Sequence, residues 1–100
     1  MDMALETFPF DASEHLDDAA SQAEYLNDAL GTGDPAVIAH ALGVIARARG
    51  MTQVARDAGV QRENLYRSLS ASGHPEFSTV MQVIKALGLQ LTTTPVRQPA

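Results

Sequence analysis

Apolar residues recur at three- and four-residue steps along most of the chain, so the pattern reads as one helix after another. Residues 1–12 hold Phe8-Pro9-Phe10-Asp11, an extended arm that enters a helix at Asp11 or Ser13. From Asp17 to Leu30 the apolar positions are Leu16, Ala19, Ala20, Ala23, Leu26, Ala29 and Leu30, with Ser21, Gln22 and Glu24 on the wet side. Gly31-Thr32-Gly33 stops that helix. Asp34-Pro35 opens the next, an acceptor at the N-cap followed by proline where no N–H is needed. Its apolar stripe is Val37, Ile38, Ala41, Leu42, Val44, Ile45 and Ala48, and Gly50 ends it after Arg47 and Arg49.

The rest is short and punctuated. Thr52 caps a helix over Gln53 to Ala58, Gly59-Val60 turns the chain, and Gln61 to Leu69 forms another helix that buries Leu65 and Leu69. Residues 70–75 have the composition of a loop. Ser78 caps a last helix through Leu87, closed by Gly88. Leu89-Gln90-Leu91-Thr92-Thr93-Thr94 alternates as a strand does, and Pro95 breaks it. The expectation is an all-α domain: a five-helix bundle containing a helix-turn-helix, with a short C-terminal β-strand. It divides into an acidic N-terminal arm and helix (1–34), a helix-turn-helix domain (35–94) and a flexible tail (95–100).

One hundred residues suffice for one domain with a modest core. Cysteine is absent, which excludes disulfides, thiolate metal sites and cysteine catalysis. No apolar run approaches a membrane span and the N-terminus lacks a signal-peptide pattern, so a cytoplasmic location is expected.

The net charge of −5 is unpromising for a nucleic-acid binder. It conceals a split. Residues 1–34 carry nine acids and no Lys or Arg, while residues 35–100 carry three acids and all seven bases. Five of those bases, Arg47, Arg49, Arg56, Arg62 and Arg67, fall within 21 consecutive positions. Asymmetry of this kind between parts of one chain is a hint of function.

The basic cluster coincides with residues 51–69, whose order has a mechanical logic. Ala55 is small where one helix approaches the next, Gly59 can adopt a positive φ in the turn, and Val60 plugs the corner ahead of Leu65 and Leu69. That arrangement leaves Arg62, Glu63, Asn64, Tyr66 and Arg67 facing outward. Arg bonds the O6/N7 edge of guanine and Asn the N6/N7 edge of adenine, so Arg62, Asn64 and Arg67 are candidate base readers. Thr52 and Gln53, opening the preceding helix, are candidate phosphate contacts. Gln61 either caps its helix or reaches a base. Tyr66 stacks on the loop or touches phosphate, and Arg47 and Arg49 serve as dipole partners or backbone contacts. The plainer alternative is an ordinary two-helix corner with solvated arginines.

The sequence also resembles the small antidote (antitoxin) proteins of bacterial addiction modules that carry a repressor-type helix-turn-helix. The segments that carry the likeness are Phe10-Asp11 with Glu14-His15-Leu16, Ala23-Glu24-Tyr25-Leu26, and Ala46-Arg47-Ala48-Arg49-Gly50-Met51-Thr52. They continue with Glu63-Asn64-Leu65-Tyr66-Arg67-Ser68-Leu69-Ser70, then His74-Pro75-Glu76-Phe77 ahead of Leu87-Gly88-Leu89. The resemblance implies a protein that neutralises a small basic toxin and, as a homodimer, represses their shared promoter on double-stranded DNA. Thr52-Gln53 lies closer to Gly59 than in the wider phage-repressor pattern.

Under that reading the acidic third is either a packed helix with solvated charges or a contact surface for the basic toxin. The contact set is then Phe8, Phe10, Glu14, Asp17 and Asp18. A two-fold operator calls for a two-fold protein, and residues 89–93 offer an unpaired strand edge for a symmetry mate. The alternatives are a stand-alone DNA-binding regulator without a toxin, or a toxin-binding module that does not bind DNA.

Other chemistry finds little support. His15, His40 and His74 lack metal-site spacing, the carboxylates are scattered, and Gly31-x-Gly33 lacks the rest of a dinucleotide loop. No cofactor, no metal and no enzymatic activity are expected.

Overall fold

The computed structural model describes residues 16–70 and 72–97. Five α-helices follow one another: α1 (Ala19–Gly31), α2 (Pro35–Arg49), α3 (Met51–Ala58), α4 (Arg62–Ser68) and α5 (Phe77–Ala86). The described chain is all-α. The arm around Phe8 and Phe10, and the helix entry expected at Asp11 or Ser13, lie outside the described residues.

Asp18 caps α1, its carboxylate accepting from the Ser21 N–H at 2.7 Å. Asp34 caps α2 by accepting from the Ala36 N–H at 2.9 Å, with Pro35 in the first turn as the sequence predicts. Between these helices the Thr32 hydroxyl donates to the Ala29 carbonyl at 2.6 Å and accepts from the Asp34 N–H at 3.1 Å. One side chain thus closes α1 and aligns the start of α2.

α2 is the central element. Leu42, Ile45 and Ala46 have no exposed surface, and α1 and α3 both pack against this helix. α1 brings Leu26 and Ala29, α3 brings Val54 and Ala55, and α5 brings Val83 and Ile84, all into one core that also holds Leu65, Leu69 and Leu87. The buried aliphatic side chains supply the main stabilising term, each worth roughly 1.5–3 kcal/mol.

Four sequence expectations need correction. Gln22, expected on the wet side of α1, is buried. Its amide donates to the Leu16 carbonyl at 3.0 Å and accepts from the Arg49 guanidinium at 3.1 Å, so both polar ends are satisfied inside. Thr52 is not a cap. α3 begins at Met51, whose side chain is drawn into the core, and Gly50 serves as C-cap of α2 and N-cap of α3 together. Ser78 is likewise internal: the Glu76 carbonyl accepts from the Val80 N–H at 3.0 Å, closing the first turn of α5 earlier, with Glu76 at the N-cap.

The fourth correction concerns residues 89–94, which form no strand; none occurs among the described residues. Alternation supplies two faces but not a ladder, and among the described residues no second extended segment lies alongside to complete the hydrogen bonds. Leu89 and Leu91 instead rest against the core as half-buried side chains.

Candidate functional site

α3 and α4 form a tight corner. Gly59 takes φ 75° and ψ 30°, the left-handed region that glycine adopts without steric cost, and caps α3 through its N–H. The Val60 N–H then donates to the Ala55 carbonyl at 3.0 Å, turning the chain back over the small Ala55 side chain. Val60 packs on the core, and Leu65, fully buried, pins α4 beneath it.

With Leu65 as its anchor, α4 presents the remaining side chains outward. Arg62, Glu63, Asn64, Tyr66 and Arg67 are all exposed, as are Thr52, Gln53 and Gln61. The six expected DNA-contacting residues are therefore accessible from solvent. Gln61 stands at the N-cap of α4 but makes no side-chain capping bond, so of its two expected roles the capping one is not taken up.

The exposed groups are held in local pairs. The Arg62 guanidinium lies 5.4 Å from the Tyr66 ring centroid and reaches its hydroxyl at 3.5 Å. The hydroxyl contact is the main influence raising the Arg62 pKa, and Glu63 adds to it. One turn along, Arg67 donates to the Asn64 side-chain carbonyl. α4 therefore shows two preset pairs, with donors of both guanidinium groups still free to reach a ligand.

On α3, Gln53 is engaged within its own helix. Its amide donates to both carboxylate oxygens of Asp57 at 3.0 and 3.1 Å and accepts from Arg56 at 3.1 Å. The i, i+3 and i, i+4 spacing of Gln53, Arg56 and Asp57 contains this network. Thr52 makes no such contact among the described residues, and its position in the first turn of α3 leaves its main-chain N–H without an acceptor inside the helix.

Beside α4 runs an open groove of about 540 Å³, lined by Gln61, Asn64, Arg67, His74, Glu76 and Thr79 among others. The last three belong to the segment entering α5 and to its first turn, and were not anticipated. They lie too far along the chain for any local spacing to associate them with α4. His40 and His74 are both exposed. Among the described residues no cluster of His, Asp or Glu is gathered closely enough to hold a metal ion. No described helix is long and apolar enough to cross a membrane.

The residues expected to meet a protein partner divide. Phe8, Phe10 and Glu14 lie outside the described residues. Asp17 and Asp18 are exposed at the start of α1. The Asp18 carboxyl is held below its ordinary pKa first by the Ser21 main-chain N–H and then by the Ser21 hydroxyl.

A basic, exposed short helix and an acidic front end occur in one chain, and the comparisons with known proteins bear on that combination. A relative in Haemophilus influenzae, an uncharacterized protein, is 53% identical over 81 residues, covering 81% of this chain and 84% of its own length. No solved structure gives a significant match. The model of one family, described as probable addiction module antidote protein, matches residues 6–95. With 90 of its 100 residues inside that match, the chain belongs to the addiction module antidote family, a membership that implies a toxin partner.

Proposed function

We propose that α3, the turn at residues 59–61 and α4 act as a DNA-reading helix-turn-helix, and that this antidote represses its own promoter as a homodimer. The observation that carries the reading is the division of labour along α4: Leu65 is wholly buried while Arg62, Asn64 and Arg67 all face solvent. A short helix fixed from below, with two guanidinium groups and an amide above, suits the major groove. Arg62 and Arg67 read guanine edges, Asn64 reads adenine, and Thr52 with the first-turn N–H groups of α3 holds a phosphate. Gln53 enters only by giving up its bonds to Asp57. Gln61, freed from capping, is available to a base or a sugar.

In the same reading the protein is a binding protein of the cytoplasm and not an enzyme. Its acid-rich front end, including exposed Asp17, Asp18, Glu24, Asp28 and Asp34, attracts the toxin electrostatically.

The test is binding to a duplex from upstream of the protein's own gene, against a scrambled duplex of equal length, followed by fluorescence anisotropy at several salt concentrations. The native duplex should bind more tightly, with log K falling by about 0.9 per log unit of salt for each phosphate neutralised. Arg62→Ala and Arg67→Ala should each weaken binding on the order of 10- to 100-fold and relax preference at one position. Equal binding to both duplexes, or variants with full affinity and unchanged preference, overturns the groove assignment and leaves toxin binding as the sole role.

A further inference from the structure

The inner side of α5 is committed to the core through Val83 and Ile84, with Leu87 following directly. Its outer side carries two large apolar side chains among the exposed Ser78, Gln82 and Lys85. Phe77 is 72% exposed and Met81 37%, and their four-residue spacing places them on one face, which Lys85 continues. Beside Phe77 the surface opens into an apolar cleft of about 300 Å³ between α1, α2 and α5, with Leu26, Leu30, Ile38 and Val80 among its walls and Phe77 itself contributing. A second depression of about 410 Å³ extends the same tract past Met81 to Leu89 and Leu91. A continuous exposed apolar tract on a chain this small marks an association surface.

Two features identify the occupant. The first is shape: a projecting aromatic, Phe77, and an apolar depression by Met81, Lys85, Leu89 and Leu91 stand about two turns apart along one face. In a two-fold pair each knob can enter the other copy's depression, so that every contact occurs twice. The second is charge. Glu76 stands at the N-cap of α5 and Lys85 in its last turn, so the helix carries opposite charges at its two ends. Antiparallel pairing of two α5 helices sets Glu76 of each copy near Lys85 of the other, with Met81 close to the axis. A parallel pair would oppose like charges.

We propose that the outer face of α5 is the homodimer interface, and that the depression lined by Met81, Lys85, Leu89 and Leu91 receives Phe77 from a second copy of this chain. The proposal rests on the dimeric reading above, and its test therefore measures mass with no DNA present.

The full chain is run on gel filtration with light scattering at tens of micromolar. The expected result is twice the chain mass of 10.7 kDa for the native protein, falling to 10.7 kDa in Met81→Glu and Phe77→Ser with unchanged helical circular dichroism. Glu76→Lys should weaken the dimer several-fold, and the exchange Glu76→Lys with Lys85→Glu should restore it. A native protein at single-chain mass overturns both the dimer and its interface. Variants that keep the doubled mass overturn the interface alone. Variants that stay dimeric yet lose co-elution with a co-expressed toxin give the face to the toxin, and a charge exchange that fails to restore pairing overturns the antiparallel arrangement.

Discussion

The Arg49 guanidinium donates to the Leu87 main-chain carbonyl at 2.6 Å, joining positions 38 apart in sequence, and with the same nitrogen reaches the Gln22 amide oxygen at 3.1 Å. One side chain at the end of α2 therefore ties down the end of α5 and the first turn of α1. Arg49→Ala removes this clasp and leaves the buried Gln22 oxygen without its donor. The expected loss is about 1–2 kcal/mol of unfolding free energy, read from a urea titration. Arg49→Lys should recover only part, since one ammonium cannot reproduce the guanidinium fork.

Leu65 is the only residue of α4 that is buried in the core. Leu65→Ala should cost roughly 2–5 kcal/mol, a large share of a small domain's stability, whereas Leu65→Met should cost less than about 1.5 kcal/mol. Denaturant midpoints for the two variants check this. The alanine variant should lose protease resistance around the Gly59 turn first.

Two glycines should respond in opposite directions to the same change. A Cβ at Gly73 would overlap the carbonyl oxygens of Arg67 and Ser68, so Gly73→Ala forces the end of α4 aside at a cost of roughly 1–3 kcal/mol. At Gly31, the last residue of α1, an added Cβ meets nothing within 4 Å, and Gly31→Ala should stabilise by up to about 1 kcal/mol. Thermal melts of both variants, run in parallel, decide the matter.

Asp18 gives the fold a weak acid sensitivity. Its folded pKa lies below the unfolded value of 3.8 because the cap bonds favour the carboxylate. The stabilisation is present in full above that unfolded value and is lost as pH falls through the lowered folded value. Asp18→Asn keeps a capping oxygen but cannot titrate, so its thermal midpoint should fall less steeply below pH 4 than that of the native chain. Identical acid limbs would remove Asp18 from the account.

What was legible in the sequence was whatever neighbours encode. Asp34-Pro35 and the stripe from Ile38 to Ile45 specify α2, with Val37 exposed against expectation, and Ala55, Gly59 and Leu65 specify the corner, because caps, turns and helical faces are set by spacing of a few residues. The errors lie where distant groups decide. Gln22 looked wet because its partners, Leu16 and Arg49, include one 27 positions away. Thr52 and Ser78 looked like caps because their chemistry suits the role, yet the first turns close sooner, on the Gly50 and Glu76 carbonyls, which accept from the Val54 and Val80 N–H groups. The alternation at 89–94 suggested a strand but carried no information about a neighbour to pair with. The outward face of α4 could be read in advance; the groove formed with His74, Glu76 and Thr79 depends on the return of the chain.

Gly50, with φ 113° and ψ 108°, is the whole connection between α2 and α3. Two torsions of one residue therefore aim everything downstream, and there is no slack in which an aiming error could be absorbed. Lengthening the joint by a single residue would double the number of soft torsions and uncouple the corner from the core beneath it. If α4 is what meets the operator, this lineage can revise its target by exchanging side chains on that helix, while changes of length at residue 50 are closed to it.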